Sequence, residues 1–183
     1  MKKKITTLQA DLVLLVVALL WGTTFVGSKF VLEYVTPLYI ISIRFILAFL
    51  FMSVVFRKNF REINREDIRG GSIVGLMLFI AFSTQLFALQ YTDPGKQAFL
   101  AGTYVVMVPF IAWWLTKKRP DNRSFLGAFI CFLGIGFLTI NDNFSISFGD
   151  SLTLLSSLFF AGHIITTGHF VKKSTPIKIT IVQ

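Results

Sequence analysis

Polar and aromatic side chains recur at one helical spacing in two long apolar stretches. The two sets are Trp21, Thr24 and Ser28 in the first stretch, and Phe160, His163 and Thr167 in the second. In each set the positions stand at i, i+3 and i+7, which places them on one face of an α-helix. Such a face could line a cavity that binds a small molecule. The alternative is helix packing, in which hydroxyls bond to carbonyls of their own helix.

Arg44 is a single positive charge inside another long apolar stretch. An Arg near the middle of a membrane helix costs about 2.5–3.5 kcal/mol on insertion scales, so it usually faces a partner or a water-filled cavity. No acidic residue stands at a comparable depth in the neighbouring stretches. Two interpretations remain open: Arg44 contacts or gates a substrate, or it bonds to the ends of helices.

Gln97, Ala101 and Tyr104 share a helical face and could reach the same cavity. His163 could relay protons, because histidine titrates near neutral pH, or it could be a hydrogen-bonded core residue. His163 and His169 do not share a face, and no cysteine or acid pattern accompanies them, so we predict no metal. The nucleotide-binding and hydrolase motifs are absent from the sequence, so we expect neither a cofactor nor an enzyme.

Membrane-spanning helices are the elements that must position these residues. With 54% hydrophobic residues and 21 Phe, the 183-residue chain has more apolar surface than a soluble domain of this size could bury. At about 1.5 Å per residue, six runs can cross about 30 Å of hydrocarbon. The predicted spans are 12–32, 37–56, 70–89, 97–116, 124–140 and 151–171. We therefore predict an all-α polytopic membrane protein embedded in a lipid bilayer.

The basic residues are distributed unevenly between the two sides of the membrane. The N-terminal segment, including Lys2 to Lys4, and the loops after spans two, four and six carry most of the 18 Lys and Arg. By the positive-inside rule, we expect the N-terminus and these loops to lie on the cytoplasmic side of the plasma membrane. The asymmetry accounts for the net charge of +9 and argues against nucleic-acid binding. Lys29 lies near the other end of span one, where it can extend to the interface.

Two sets of glycines predict close contacts between helices. Gly71 and Gly75 form a G-x-x-x-G pattern in span three, and Gly127, Gly134 and Gly136 lie in span five. Small residues at such positions let another helix approach closely within a membrane.

An internal repeat relates the first and the sixth spans. A shift of 139 residues places Asp11 on Asp150 and Thr36-Pro37 on Thr175-Pro176. Because five spans separate the starts of the two copies, the second copy enters the membrane in the opposite sense. Inverted repeats are typical of secondary transporters, whose substrate sites lie near mid-membrane between the repeats. Since the chain ends within the second copy, we expect about four helices to be missing.

Several short motifs follow one another in order along the chain. They are residues 18–25 in span one, Pro37 with Arg44, residues 88–92, Pro109, Gly127 with Gly134, and Gly149-Asp150. Together they resemble the EamA family of the drug/metabolite transporter superfamily. The resemblance implies a ten-helix bundle of two inverted five-helix repeats, with both termini cytoplasmic, that exports amino acids or other small metabolites. It divides the chain into a first repeat, 1–148, and the start of a second, 149–183. Family members often have a Glu shortly after span four, where this chain has Lys117 to Arg119, so no role of that acid is carried over.

The sequence therefore predicts part of a secondary transporter, not driven by ATP, that exports a small metabolite by alternating access. The candidate cavity residues are Trp21, Thr24, Ser28, Arg44, Gln97, Tyr104, Phe160, His163 and Thr167. Two other interpretations stay open. The chain could be an interaction subunit that assembles with itself or with a complementary membrane subunit and transports nothing, or it could be an inactive truncated product.

Overall fold

The computed structural model describes residues 7–139 and 146–183, and these residues form helices joined by short loops. The helices are α1 (Thr7–Val31), α2 (Pro37–Val55), α3 (Arg57–Arg61), α4 (Arg65–Leu89), α5 (Pro94–Ala101), α6 (Tyr104–Thr116), α7 (Asn122–Thr139), α8 (Phe148–Phe170) and α9 (Pro176–Val182). The predicted all-α class is confirmed for this part of the chain. Lys2 to Lys4, and Ile140 at the predicted end of span five, lie outside the described residues.

Five segments of the described chain are long and apolar enough to cross a membrane. They are Leu8–Val31, Pro37–Val55, Arg65–Leu89, Pro94–Thr116 and Phe148–Phe170. They correspond to predicted spans one, two, three, four and six. Helix α7 overlaps the fifth predicted span, 124–140, but is not among the five. The prediction of six spans is therefore confirmed for five of them.

Helix α4 begins five residues before the predicted start of span three at Gly70, because a polar cap initiates it. The Asn64 side chain accepts a hydrogen bond from the Asp67 amide at 2.9 Å, and the Asp67 carboxylate accepts one from the Asn64 amide at 2.9 Å. This reciprocal capping box satisfies two amide groups that the first turn would otherwise leave unpaired. A prediction based on apolar runs places the helix start too late, because the first turn of α4 consists of charged residues.

The fourth predicted span, 97–116, is two helices in the structure. Helix α5 begins at Pro94 after the N-cap Asp93, whose carboxylate accepts hydrogen bonds from Gly95 and Lys96. The chain then turns through Gly102 and Thr103, and the Thr103 hydroxyl donates to the Leu100 carbonyl at 2.8 Å before α6 begins. The predicted span is thus confirmed as the segment Pro94–Thr116, with a short irregular turn inside it.

Helices α4 and α8 form the centre of the bundle and make its most extensive helix contact. Both bury small side chains, including Ala81 in α4 and Ser157 and Ala161 in α8. Small residues allow two backbones to approach closely without a large side chain between them. Helices α5 and α6 pack on α8, and α2 packs on α4.

The glycines of α4 contact the C-terminal helix α9, as the G-x-x-x-G pattern predicts for a close approach. A Cβ atom added at Gly75 would lie 2.7 Å from the Gln183 carbonyl oxygen, and one at Gly71 would overlap the Val182 side chain. The glycines of α7 behave differently. A Cβ atom added at Gly127, Gly134 or Gly136 would meet no atom within 4 Å, so the predicted contact there is absent among the described residues.

Helix ends in the two related parts of the chain coincide under the 139-residue shift. Helix α1 ends at Val31 and α8 at Phe170, while α2 and α9 begin at Pro37 and Pro176. The residues before the two prolines, Thr36 and Thr175, are both extended. The surroundings differ, because α8 is central whereas α1 has its main contact with α5 and exposes most of its large apolar side chains.

Candidate functional site

A cavity of about 350 Å³ lies between α1, α2, α4, α5, α6 and α8. Eight of the nine predicted site residues line it, namely Trp21, Thr24, Ser28, Arg44, Gln97, Tyr104, Phe160 and His163. The ninth, Thr167, does not. It lies one turn beyond His163 along α8, and its hydroxyl is buried without a hydrogen-bond partner among the described residues. Two sets of residues that are far apart in sequence thus meet at one cavity.

Aromatic rings form one wall of this cavity. The ring centroids of Phe82 and Phe160 lie 5.2 Å apart in an edge-to-face arrangement, and those of Tyr104 and Phe160 lie 5.9 Å apart. Phe45 extends the cluster, with its ring centroid 6.0 Å from that of Phe82. Packed rings hold one another in place, so this wall gives the cavity a defined apolar surface.

Arg44 lies against the aromatic wall with its guanidinium carbon 5.0 Å from the centroid of the Phe82 ring. This distance is within the range of a cation–π interaction. Arg44 makes no hydrogen bond or ion pair with the residues that the structure describes. The interpretation in which Arg44 bonds to helix ends is therefore not what is observed, and its N–H donors remain available to a ligand.

Lys29, rather than Arg44, bonds to a helix end. Its ammonium group donates to the carbonyl oxygens of Leu89 at 2.6 Å, Thr92 at 3.2 Å and Gln90 at 3.3 Å. A cation at the C-terminus of a helix pairs with carbonyls that have no partner within the helix and with the negative end of the helix dipole. Lys29 thus joins α1 to the end of α4, which corrects the expectation that it only extends to the interface.

Gln97 is fully buried beside the cavity and connects three helices. Its amide nitrogen donates to the Gln85 carbonyl at 2.7 Å and to the Thr153 hydroxyl at 3.3 Å. Its side-chain oxygen has no hydrogen-bond partner in the part of the chain that the structure describes. Gln85 also lines the cavity and was missed by the sequence analysis, although a Gln inside an apolar span is itself a signal. The unpaired oxygen of Gln97 is itself buried beside the cavity.

Two further polar residues of the cavity differ in whether their side chains form hydrogen bonds within their own helices. The Thr24 hydroxyl donates to the Leu20 carbonyl at 2.8 Å, as the packing interpretation expects for this group. The buried Nδ1 atom of His163 has no hydrogen-bond partner within residues 7–139 and 146–183, so the interpretation as a hydrogen-bonded core residue is not observed there. No group of three metal-ligating side chains occurs among the described residues.

A buried charge pair joins the starts of α5 and α8. The Asp150 carboxylate, which is fully buried, accepts from the Lys96 ammonium at 2.6 Å and from the Thr92 hydroxyl at 2.8 Å. The Asp150 amide donates to the Ser147 hydroxyl at 3.1 Å, which caps α8. The sequence identified Asp150 through the repeat and through the Gly149-Asp150 motif, but it did not predict the partners of this carboxylate.

Comparison with known protein families assigns the chain to a family of transporters. The EamA-like transporter family matches residues 8–140, which is well over half of the chain. This chain belongs to the EamA-like transporter family. It is therefore a multi-pass membrane protein of a transporter family and not a member of an enzyme family. The resemblance predicted from the sequence motifs is confirmed.

Three relatives of this EamA-family chain are named only as uncharacterized transporters. One from Archaeoglobus fulgidus is 34% identical over 176 residues, which cover 96% of this chain and 54% of the relative. YyaM of Bacillus subtilis is 25% identical over 87% of this chain and 55% of its own length. YoaV of Bacillus subtilis is 23% identical over 78% of this chain and 51% of its own length. The chain thus spans about half the length of the curated relatives it matches, and no solved structure matches it significantly.

Proposed function

We propose that this EamA-family chain forms the first part of a secondary transporter that moves a small metabolite by alternating access, without ATP. The observation that carries the proposal is the cavity of about 350 Å³. Both α1 and its repeat counterpart α8 contribute the same face to it, through Trp21 and Phe160 and through Thr24 and His163. A site shared between two related helices is an arrangement that recurs in transporters that work by alternating access.

The lining favours a substrate that carries an anionic group. Arg44 brings a guanidinium that has no ion pair with the described residues, and no acidic side chain lines the cavity. A guanidinium can bind a carboxylate through two parallel hydrogen bonds. Gln97 and His163 add polar groups to the lining, and the aromatic wall accommodates an apolar part of the substrate. Amino acids combine a carboxylate, a hydrogen-bond donor and a side chain, so we propose amino acids or similar small metabolites as the substrate class.

We propose export across the plasma membrane, the direction that the family resemblance implies. We also propose a cytoplasmic N-terminus, because the basic loops are concentrated on one side. We further propose two repeat units, 1–148 and 149–183, of a ten-helix inverted bundle. The coincident helix ends at Val31 and Phe170 support this division. The other helices would come from a longer chain, from a second copy or from a complementary membrane subunit.

Arg44→Gln tests the site against a closely matched control. Arg119 also lies over a phenylalanine, with its guanidinium carbon 5.3 Å from the Phe125 ring centroid, but it does not line the cavity. We expect Arg44→Gln to reduce efflux of labelled amino acids from cells at least tenfold, because a charge-assisted contact contributes about 1.5–3 kcal/mol. Arg119→Gln should leave efflux unchanged at equal membrane content. Equal efflux by both variants would contradict the cavity assignment.

A second candidate function is a membrane interaction subunit that transports nothing itself. The apolar side chains that α1 exposes favour it, because another membrane helix could cover them. Purification from the native membrane separates the two functions. A stable partner without amino-acid flux in the reconstituted complex would favour the interaction subunit, and flux would favour the transporter. If neither a stable partner nor amino-acid flux is found, the chain is an inactive fragment.

A further inference from the structure

A second cavity, of about 210 Å³, lies between the start of α4 and the end of α8. Arg69, His169 and Lys173 contribute cationic or hydrogen-bonding groups to it, and Glu66 contributes one carboxylate. Phe170 and Ile179 form an apolar part of the lining. The cavity is separate from the proposed substrate cavity and shares no lining residue with it. We refer to it as the basic cleft.

The two cationic side chains of the basic cleft form no ion pair among the described residues. The Arg69 guanidinium and the Lys173 ammonium make no ion pair or hydrogen bond with a described residue, although the Glu66 carboxylate lines the same cleft. The adjacent Lys178 is different, because its ammonium lies 3.8 Å from the Asp67 carboxylate and donates to the Glu62 carbonyl at 2.8 Å. Two like charges that face one cleft repel each other, and a bound anion relieves that repulsion.

The position of the basic cleft identifies the kind of anion. Arg69 lies in the first turns of α4, and His169 lies at the last turn of α8, so the cleft stands where two membrane spans reach the headgroup layer. Phospholipid headgroups are present there at high local concentration, and basic pockets between membrane helices bind anionic headgroups. The apolar contribution of Phe170 and Ile179 suits the glycerol and first acyl carbons that follow a lipid phosphate.

We propose that the basic cleft binds the phosphate of an anionic phospholipid, with Arg69, Lys173 and His169 as its donors. Guanidinium and ammonium groups are the usual partners of phosphate oxygens. The lipid would bridge α4, α8 and α9, because Ile179 belongs to α9. It would therefore hold together helices that lie on both sides of the proposed repeat boundary.

Native mass spectrometry of the purified chain with added phosphatidylglycerol or phosphatidylcholine tests the site. We expect phosphatidylglycerol to bind preferentially. Either Arg69→Gln or Lys173→Gln should weaken its binding about fivefold, the effect of one basic residue at a membrane surface. The matched controls are Lys118→Gln and Arg123→Gln, which each remove one exposed charge outside the cleft and should leave binding unchanged.

Glu66→Gln provides an independent readout if the basic variants fold poorly. Removing the carboxylate from the basic cleft should strengthen phosphatidylglycerol binding severalfold, because the negative charge of Glu66 repels the lipid phosphate. Equal binding of the two lipids, or equal loss in the cleft and control variants, would overturn the proposal. Binding of millimolar inorganic phosphate without binding of phosphatidylglycerol would assign the cleft to a free anion and would also overturn it.

Discussion

The ammonium of Lys96 lies 2.6 Å from the carboxylate of Asp150, which has no solvent-exposed side-chain surface. The pair links the first turn of α5 to the first turn of α8, across the proposed repeat boundary. Thr92 and the N-terminus of α8 also stabilise the carboxylate. Asp150 is thus a structural anchor between two helices that both border the cavity.

Replacing Lys96 should destabilise the fold more than replacing another lysine. Lys96→Met leaves the buried Asp150 carboxylate without its cationic partner. We expect a loss of about 3 kcal/mol in the free energy of unfolding, the lower end of the usual range, because Lys96 is partly exposed. Lys118→Met removes an exposed charge and should change it by no more than about 0.5 kcal/mol. Thermal unfolding in detergent measures both. Equal melting temperatures would mean that the pair contributes nothing to stability.

Alanine substitutions at two glycines should change stability in opposite directions. A Cβ atom at Gly75 would lie 2.7 Å from a backbone oxygen of Gln183, so Gly75→Ala should separate α4 from α9 and cost about 1–3 kcal/mol. A Cβ atom at Gly27 would meet nothing within 4 Å, so Gly27→Ala should stabilise α1 by up to about 1 kcal/mol. Thermal unfolding shows whether each variant is more or less stable than the original chain. If both substitutions lower the melting temperature, α1 is packed more closely than the structure indicates.

Lys117→Gly should stabilise the chain. Lys117 follows the last turn of α6 with a φ of 59°, in the left-handed region that glycine adopts without steric cost. We expect a gain of about 1 kcal/mol, the usual cost of a non-glycine residue in that region. Lys118→Gly is the control, since Lys118 does not have a positive φ and gains nothing from the substitution. A lower melting temperature for Lys117→Gly would contradict this prediction.

Lys29→Met should release α1 from the end of α4. The substitution removes three hydrogen bonds from an ammonium group to carbonyl oxygens. A cysteine at Ser28, in a Cys131→Ser background, reports the separation, and we expect a maleimide to label it severalfold faster when Lys29 is replaced. Lys118→Met in the same background should leave the labelling rate unchanged. Equal rates would show that other contacts hold α1 in place.

The cavity residues could be predicted because their signal is local. Spacing along one helix face identified Trp21, Thr24 and Phe160, and a charge in an apolar span identified Arg44. These features need only the period of the helix and the cost of polar groups in lipid. The same reasoning could have identified Gln85.

The polar pairings could not be predicted, because the partners lie far apart in sequence. Lys29 bonds to the end of α4, and Lys96 bonds to Asp150, only after the helices have packed. The predicted helix boundaries were wrong where polar side chains or a turn, and not the hydropathy of the segment, determine where a helix begins or ends. The Asn64 cap begins α4 among charged residues, and the turn at Gly102 divides a run that is apolar throughout. Thr167 has the predicted spacing but lies beyond the end of the cavity.

The attachment of α1 near one end has a mechanical consequence. A rigid helix fixed at Lys29 acts as a lever whose pivot lies at that end. The 25-residue helix places Thr7 about 33 Å from the pivot, so a tilt of about 10° would displace that end by about 6 Å. Trp21, about 12 Å from the pivot, would move by about 2 Å under the same tilt. A tilt about Lys29 would thus move the cavity residue Trp21 about a third as far as the start of the helix.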